Sequence, residues 1–161
     1  MTEENATPTA PSISINGQYI KDLSFEAPNA PAIFSELGRS APEIPIQIDI
    51  RATQLQDNTY EAVLNIHVEG KVADKTAFIV ELAYAGVFTV SVPQEHLQPV
   101  LLIECPRLLF PFARNIIAEV TRDGGFPPLM MQPVDFVALY RQRMERVAAE
   151  QQQGGPTLGT A

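Results

Sequence analysis

The side chains that most often carry catalysis are few in this sequence and far apart. The two histidines, His67 and His96, have no spacing to the single cysteine, Cys105, or to carboxylates that would form a zinc site or a nucleophile–base pair. A solvated or packed histidine is the favoured interpretation of each. The sequence therefore predicts no catalytic set, no metal site and no cofactor, and a protein that is not an enzyme.

Cys105 and the Gly124-Gly125 pair could each be taken for part of a site. Cys105 precedes Pro106 at a predicted helix start, where a thiolate is favoured, but a free cysteine is more often a small buried hydrophobic residue. The glycine pair ends a predicted helix, whereas a phosphate-binding glycine loop begins one. A single cysteine also excludes an internal disulfide.

The charge of the chain argues against nucleic acid as a partner. Its 161 residues include 19 Asp and Glu against 11 Lys and Arg, a net charge of −8, whereas phosphate binding requires a basic surface. Residues 1–50 hold seven acids and two bases (−5), residues 51–105 seven and three (−4), and residues 106–161 five and six (+1). The first two thirds could attract a basic partner, although solubility alone also explains such a composition.

Nothing in the sequence indicates membrane insertion or secretion. No apolar run reaches the roughly 18 residues of a membrane-spanning helix, and Met1–Asn5 is acidic, unlike a signal peptide. The expected location is the cytoplasm. Charged residues make up only 19% of the chain, below the usual value of about 25%, which predicts exposed apolar surface for protein contacts.

Alternating apolar residues predict four strands. Three runs have period two and start at Ile13, Ile44 and Tyr60. Asp57-Asn58 between the second and third runs is typical of a hairpin turn. The fourth run, Thr76 to Val92, is apolar on both sides with Glu81 as its only charge, so both of its sides should be covered. Because little of the chain is left to cover the second side, a symmetric oligomer is expected.

Helical patterns follow the strands. Gln94–Ile103 is a weak piece interrupted by Pro99, and Arg107–Arg122 repeats apolar residues at helical spacing. Pro133 opens a last helix that extends to about Gln151.

Strands followed by helices predict an α+β fold, with a four-stranded antiparallel sheet and two main helices, and not a parallel α/β fold. A single domain spans residues 12–150. The polar tails at residues 1–11 and 151–161 are expected to be disordered.

Three motifs, in order along the chain, resemble the SecB family of export chaperones. They are Tyr19 to Pro31 (YIKDLSFEAPNAP), Cys105 to Arg114 (CPRLLFPFAR), and Gly125 to Leu129 (GFPPL) followed by Pro133 to Tyr140. The similarity runs from about Ser12 to Arg143. The resemblance implies a cytosolic homotetramer, a dimer of dimers, that binds unfolded preproteins without ATP. Such a protein keeps them competent for translocation and passes them to the SecA motor.

The resemblance also assigns residues to contacts with partners. Docking of SecA is implied for Asp22, Glu26, Ile79 and Glu81, and contacts between subunits for Val80 and Leu82. A lone acid on an apolar strand is costly to bury unless it is exposed or paired. Docking of the basic tail of SecA, implied by the resemblance, would explain why an acid stands at Glu81 on this apolar strand. The structural alternative is that Glu81 pairs with a group of the same chain, such as an arginine.

Client binding is implied for apolar positions in the crossover loop, the strands and the last helix. These residues are Ile44, Ile46, Phe78, Leu129, Met130, Phe136, Leu139 and Tyr140. Some family members carry a tryptophan in the crossover loop, whereas this chain has none, so Ile44 is the expected substitute. An oligomeric scaffold that uses its apolar faces only for assembly is the main alternative. An enzyme that acts on a small ligand is disfavoured, because the sequence lacks the titratable groups that catalysis would require.

Overall fold

The computed structural model describes residues 10–154, in which four strands precede the main helices. The strands are β1 (Ser12–Glu26), β2 (Ile46–Gln56), β3 (Thr59–Val72) and β4 (Lys75–Ser91). The helices are α1 (Ile33–Glu36), α2 (Gln94–Pro99), α3 (Cys105–Asp123) and α4 (Phe136–Gln153), and a π-helical turn, Val100–Glu104, joins α2 to α3. The predicted α+β class is confirmed.

The strands form one antiparallel sheet in the order β1-β4-β3-β2. Asp57 and Asn58 connect β2 to β3, and Ala73 and Asp74 connect β3 to β4. Positive φ angles at Asn58 (60°), Ala73 (49°) and Asp74 (61°) suit tight turns between twisted strands. The hairpin turn predicted at Asp57-Asn58 is confirmed. Residues 27–45 carry the chain from β1, at one edge of the sheet, to β2 at the other.

β4 lies inside the sheet, and its two sides have different surroundings. One side packs under α3 and contributes Val80, Leu82 and Phe88, which are at most 2% exposed. The other side carries residues such as Ile79 and Ala83 that are only half-buried within one chain. The chain's own helices therefore complete a core on one face, and we call the other face the open face. Val80 and Leu82, the predicted subunit contacts, lie inside this core.

The helical stretch from Gln94 to Asp123 is continuous, whereas the sequence indicated a weak piece and a separate long helix. Pro99 stands where α2 passes into the π-helical turn, a geometry that accommodates an interruption of the regular hydrogen-bond ladder. At the other end, the N–H of Gly124 donates to the Val120 carbonyl at 2.9 Å, and Gly125 has a φ of 92°. The predicted stop after Asp123 is confirmed.

The last helix begins later than the sequence indicated. Asp135 is the N-cap of α4, and its carboxylate accepts a hydrogen bond from the N–H of Ala138 at 3.0 Å. Pro133 therefore lies before the helix and does not open it. At its other end α4 includes Gln151, Gln152 and Gln153, which the sequence placed in a disordered tail. Residues 155–161 of that tail and residues 1–9 lie outside the described residues.

Candidate functional site

Four phenylalanines meet at one end of the sheet, and we call them the aromatic cluster. They are Phe25 at the end of β1, Phe34 in α1, Phe78 in β4 and Phe126 after α3. The centre of the Phe126 ring lies 5.0 Å from that of Phe78 and 5.1 Å from that of Phe34. Tilted rings at these distances attract each other. Phe78 and Phe126 are buried, whereas Phe34 is 38% exposed and forms the outer surface of the cluster.

Glycines allow the rings of the cluster to approach the backbone closely. A Cβ at Gly70 would lie 2.6 Å from the ring of Phe78, and a Cβ at Gly124 would overlap the ring of Phe25. A Cβ at Gly125 would lie 3.0 Å from the ring of Phe34, in a backbone conformation that favours glycine. Glycines on β3 and after α3 therefore provide the space in which the rings of the cluster pack.

The loop that follows Phe126 is fixed by Thr121. This threonine is fully buried, and its hydroxyl donates to the Ile117 carbonyl at 2.8 Å and accepts the N–H of Leu129 at 2.9 Å. Leu129 is half-buried, and the next residue, Met130, is 57% exposed. A flexible apolar side chain thus projects from an anchored backbone.

The residues predicted to bind clients differ in how much surface they offer. Phe78 and Phe136 are 6% and 2% exposed, and Phe136 packs edge-on against Phe110 at 5.9 Å. Five of the residues are half-buried and pack against the core. These are Ile44, Ile46, Leu129, Leu139 and Tyr140. Met130 is the most exposed of the set.

Three members of the aromatic cluster are absent from that predicted set. Phe25 and Phe126 lie inside the quoted motifs, so a signal for them was available, and Phe34 follows just beyond the first motif. Phe34 provides an exposed aromatic ring in the crossover segment although the chain has no tryptophan. The expectation that Ile44 replaces an aromatic residue there is therefore incomplete.

Strand register gathers carboxylates on the open face. Three neighbouring rows cross the sheet. They are Glu26–Ile79–Glu69, Ser24–Glu81–His67 and Asp22–Ala83–Asn65–Asp49. We call the five acids of these rows the acidic face. The four residues predicted for docking, Asp22, Glu26, Ile79 and Glu81, all lie within the three rows.

Glu81 is both exposed and paired. Its carboxylate lies 3.1 Å from Nδ1 of His67, directly across from it on β3. The side chains of Glu81 and His67 are 57% and 38% exposed. The intramolecular partner is thus a histidine rather than an arginine, and the carboxylate remains accessible from solvent.

A groove of about 1030 Å³ separates the open face from α4. Arg143 holds α4 against the sheet edge, because its Nη1 donates to the Ile50 carbonyl of β2 at 2.6 Å. The groove is lined from the sheet by Asp22, Asp49, His67 and Glu81, and from α4 by Leu139, Tyr140, Arg143 and Arg146. Residues predicted for docking and residues predicted for client binding therefore border the same groove.

A second set of polar side chains, formed by Tyr19, Lys21 and Glu61, connects β1 to β3 across β4. The Tyr19 hydroxyl and the Lys21 ammonium both donate to the carboxylate of Glu61, Lys21 at 2.7 Å. Hydrogen bonds from Lys21 and then Tyr19 lower the pKa of Glu61 below its ordinary value. Burial, followed by the hydrogen bond to Glu61, raises the pKa of Tyr19 to about 12. The ionised carboxylate is thus the form that the folded chain prefers.

Cys105 is fully buried. Burial and then the negative charge of Glu104 raise the pKa of its thiol to about 12, so it remains protonated and is a poor nucleophile or ligand.

Within residues 10–154, no group of three or more His, Cys, Asp and Glu side chains is arranged to hold a metal ion. In the same part of the chain, no helix is both long and apolar enough to cross a membrane.

These features define a binding protein with two kinds of surface, an apolar one around the aromatic cluster and α4, and an acidic one on the open face. A family model described as preprotein translocase subunit SecB matches residues 6–147. The protein-export protein SecB of Rhodospirillum rubrum is 56% identical over 93% of this chain and 94% of the relative. That of Paramagnetospirillum magneticum is 57% identical over 89% and 92%. The chain belongs to the SecB family.

A solved structure shares the fold at much lower sequence similarity. It is the Mycobacterium tuberculosis SecB-like chaperone in complex with a ChAD peptide from an antitoxin. The two chains are 12% identical with a TM-score of 0.64, over 76% of this chain and 90% of that one. The sheet-and-helix architecture is therefore common to both.

The Tyr19–Lys21–Glu61 contacts predict a pH-dependent contribution to stability. Because the pKa of Glu61 is lower in the folded chain, ionised Glu61 stabilises the fold above the unfolded pKa of about 4.3, and this contribution is lost as pH falls through the folded pKa. Glu61→Gln should lower the urea midpoint at pH 7, and the difference from wild type should shrink near pH 3.5. Asp57→Asn, in the exposed β2–β3 turn, is the control. An equal difference at both pH values would contradict the assignment.

Proposed function

We propose that this protein is an ATP-independent holdase that binds unfolded preproteins on its apolar surface, keeps them translocation-competent and delivers them to SecA in the cytoplasm. Its role as a protein-export chaperone follows from its membership of the SecB family. The observation that carries the mechanism is that apolar and acidic binding surfaces coexist on one small sheet, with aromatic surface left exposed at Phe34.

Client binding requires apolar surface that the folded chaperone does not use for its own core. Phe34 is 38% exposed, and its ring lies 5.1 Å from the buried ring of Phe126. Met130, four residues after Phe126, is 57% exposed. An unfolded chain that covers such surface gains about 25 cal/mol for each Å² removed from water. A methionine adapts to many shapes, so selectivity for client sequence is low. Folded proteins hide their apolar segments and are released.

SecA docking is supported by the geometry of the acidic face. Glu26 and Glu69 flank Ile79 in one row, and Glu81 and Asp22 lie in the next two rows. An apolar side chain that has carboxylates on both flanks and in the adjoining row suits a partner that is basic around a small apolar contact. Opposite charges accelerate such an encounter and fix its orientation. The basic tail of SecA, implied by the family resemblance, has this chemistry.

Assembly into a dimer of dimers is supported by a second exposed apolar area. On the α3 side of the sheet, β1 leaves four large residues more than one third exposed, and α3 leaves two. They are Ile13, Ile15, Ile20 and Leu23 on β1, and Leu108 and Phe112 on α3. A second copy would cover this area. Val80 and Leu82 lie beneath α3, so they would influence assembly by positioning that helix.

An oligomeric scaffold remains the second candidate, because the exposed surface of β1 and α3 serves assembly alone equally well. The two functions differ at the aromatic cluster. A scaffold has no use for apolar surface at Phe34 and Met130, whereas a holdase requires it.

Client holding predicts suppression of aggregation. At a stoichiometric ratio and without nucleotide, the wild-type protein should suppress light scattering by a reduced, unfolded protein. Phe34→Ser and Met130→Ser should weaken client binding severalfold, because each removes exposed apolar contact area. Leu55→Ser is the matched control, since Leu55 is 53% exposed near the β2–β3 turn, at the opposite end of the sheet. A wild-type protein without effect on scattering would support the scaffold, and an equal loss in all three variants would reject the assigned surface.

SecA docking predicts a loss of affinity on charge reversal. Asp22→Lys and Glu81→Lys should each weaken binding of purified SecA at least about tenfold, because a like charge in a complementary interface costs several kcal/mol. Client holding should persist in both variants. Asp57→Lys changes an exposed acid by the same amount at the other end of the sheet and should bind normally. Unchanged affinity in the first two variants would remove the docking assignment.

Assembly predicts a solution mass of about four times 17.7 kDa by light scattering. Phe112→Ser should reduce this mass, because Phe112 is 51% exposed on α3 and lies 6.3 Å from the buried Tyr84 ring. Leu55→Ser should leave it unchanged. A monomeric wild-type protein would contradict the proposed assembly.

A further inference from the structure

We propose that His67 is part of the docking surface and sets the charge that Glu81 presents, so that affinity for a basic partner rises with pH as the imidazole loses its proton. This inference rests on the proposed docking function of the acidic face. It adds a residue, and a regulation by pH, to that surface.

His67 is placed by register and not by chance contact. It lies directly opposite Glu81 in the β3–β4 pairing, on the open face, with Nδ1 3.1 Å from the carboxylate. Both side chains are more than one third exposed, so a partner that contacts Glu81 also reaches the imidazole. At this distance a neutral ring that carries its proton on Nδ1 donates a hydrogen bond to the carboxylate, and a doubly protonated ring donates the same hydrogen bond and also bears a full positive charge.

Polar side chains and charged side chains of both signs surround His67. On β2 the facing residue is Gln47, with Asp49 one row away, and on β3 the neighbours on the same face are Asn65 and Glu69. On β1, Ser24 lies directly beyond Glu81, with Asp22 and Glu26 in the two adjacent rows. Across the groove, α4 contributes Arg143, Arg146 and Glu150, and Lys71 lies 4.0 Å from Glu69. Carboxylates, guanidinium groups and ammonium groups ordinarily keep their charge between pH 5 and 8, whereas an imidazole changes its charge in that range.

The charge change is located in the centre of the docking surface. Protonation of His67 takes the His67–Glu81 pair from a net charge of −1 to 0, and it engages the carboxylate that the partner would otherwise contact. A basic segment is therefore attracted less strongly below the titration of the imidazole than above it. By linkage, a bound basic segment must in turn disfavour the protonated ring.

The test uses the full-length protein and an N-acetylated, tetramethylrhodamine-labelled peptide of lysine, glycine and serine, which lacks groups that titrate between about pH 5.5 and 8. The wild-type protein should bind this peptide about twofold to fivefold more weakly at the low end of the range, the effect of one partly exposed charge. His67→Gln, which keeps a hydrogen-bond donor but cannot change its charge, should remove most of this dependence. His96→Gln is the matched control, because His96 lies on α2 next to Glu95 and outside the acidic face. It should behave as wild type.

The outcomes separate this inference from the proposed function. If wild type binds the peptide with a pH dependence that His67→Gln preserves, the role of His67 is wrong and docking stands. If wild type binds neither the peptide nor SecA at any pH, the docking function fails and this inference falls with it.

Discussion

The pairing of β4 with β1 on one side and β3 on the other determines where each candidate site residue of the sheet lies. Side chains alternate between the two faces of a sheet, so a register fixed by the burial of Val80 and Phe88 also places Ile79 and Glu81 on the open face. A slip of one residue would bury the Glu81 carboxylate beneath α3 and expose Val80, and both changes are unfavourable. Packing of the hydrophobic core on one face therefore determines which residues form the acidic face on the other.

The open face and the apolar surfaces are separated by the sheet itself. Helix α3 covers one side, and the carboxylates occupy the other, so binding of a basic partner need not displace apolar contacts on the helix side. The two surfaces approach each other at α4, where Arg143 joins the helix to the carbonyl of Ile50 and Tyr140 lines the groove beside the acidic face. The position of this last helix thus affects both surfaces, and the single hydrogen bond from Arg143 helps to fix it.

Sequence pattern predicted most of the sheet, because β2 and β3 alternate between apolar and polar residues and β4 is a long apolar run. The family resemblance led to three of the five acids of the acidic face, Asp22, Glu26 and Glu81. Their meeting with Asp49 and Glu69 in three rows depends on register. The start of α4 was placed too early because Pro133 and Asp135 are both typical of helix starts, and only the hydrogen bond to Ala138 shows which residue is the cap. The aromatic cluster could not be found by periodicity, since Phe34 and Phe126 meet only through tertiary packing.

Strand β1 shows why alternation fails at the edge of the sheet that carries two of the proposed docking acids. Its pairing with β4 shifts once between Ile15 and Gly17 and again between Ile20 and Asp22. The first shift turns Tyr19 to the open face, where its hydroxyl reaches Glu61, and the second returns Asp22 to that same face. Two bulges, each adding one residue, restore the original phase, so the acids of β1 join those of β3 and β4. The irregularity that interrupts the alternation of β1 is thus what lets one strand contribute both the Tyr19 and Lys21 contacts to Glu61 and two carboxylates to a single face.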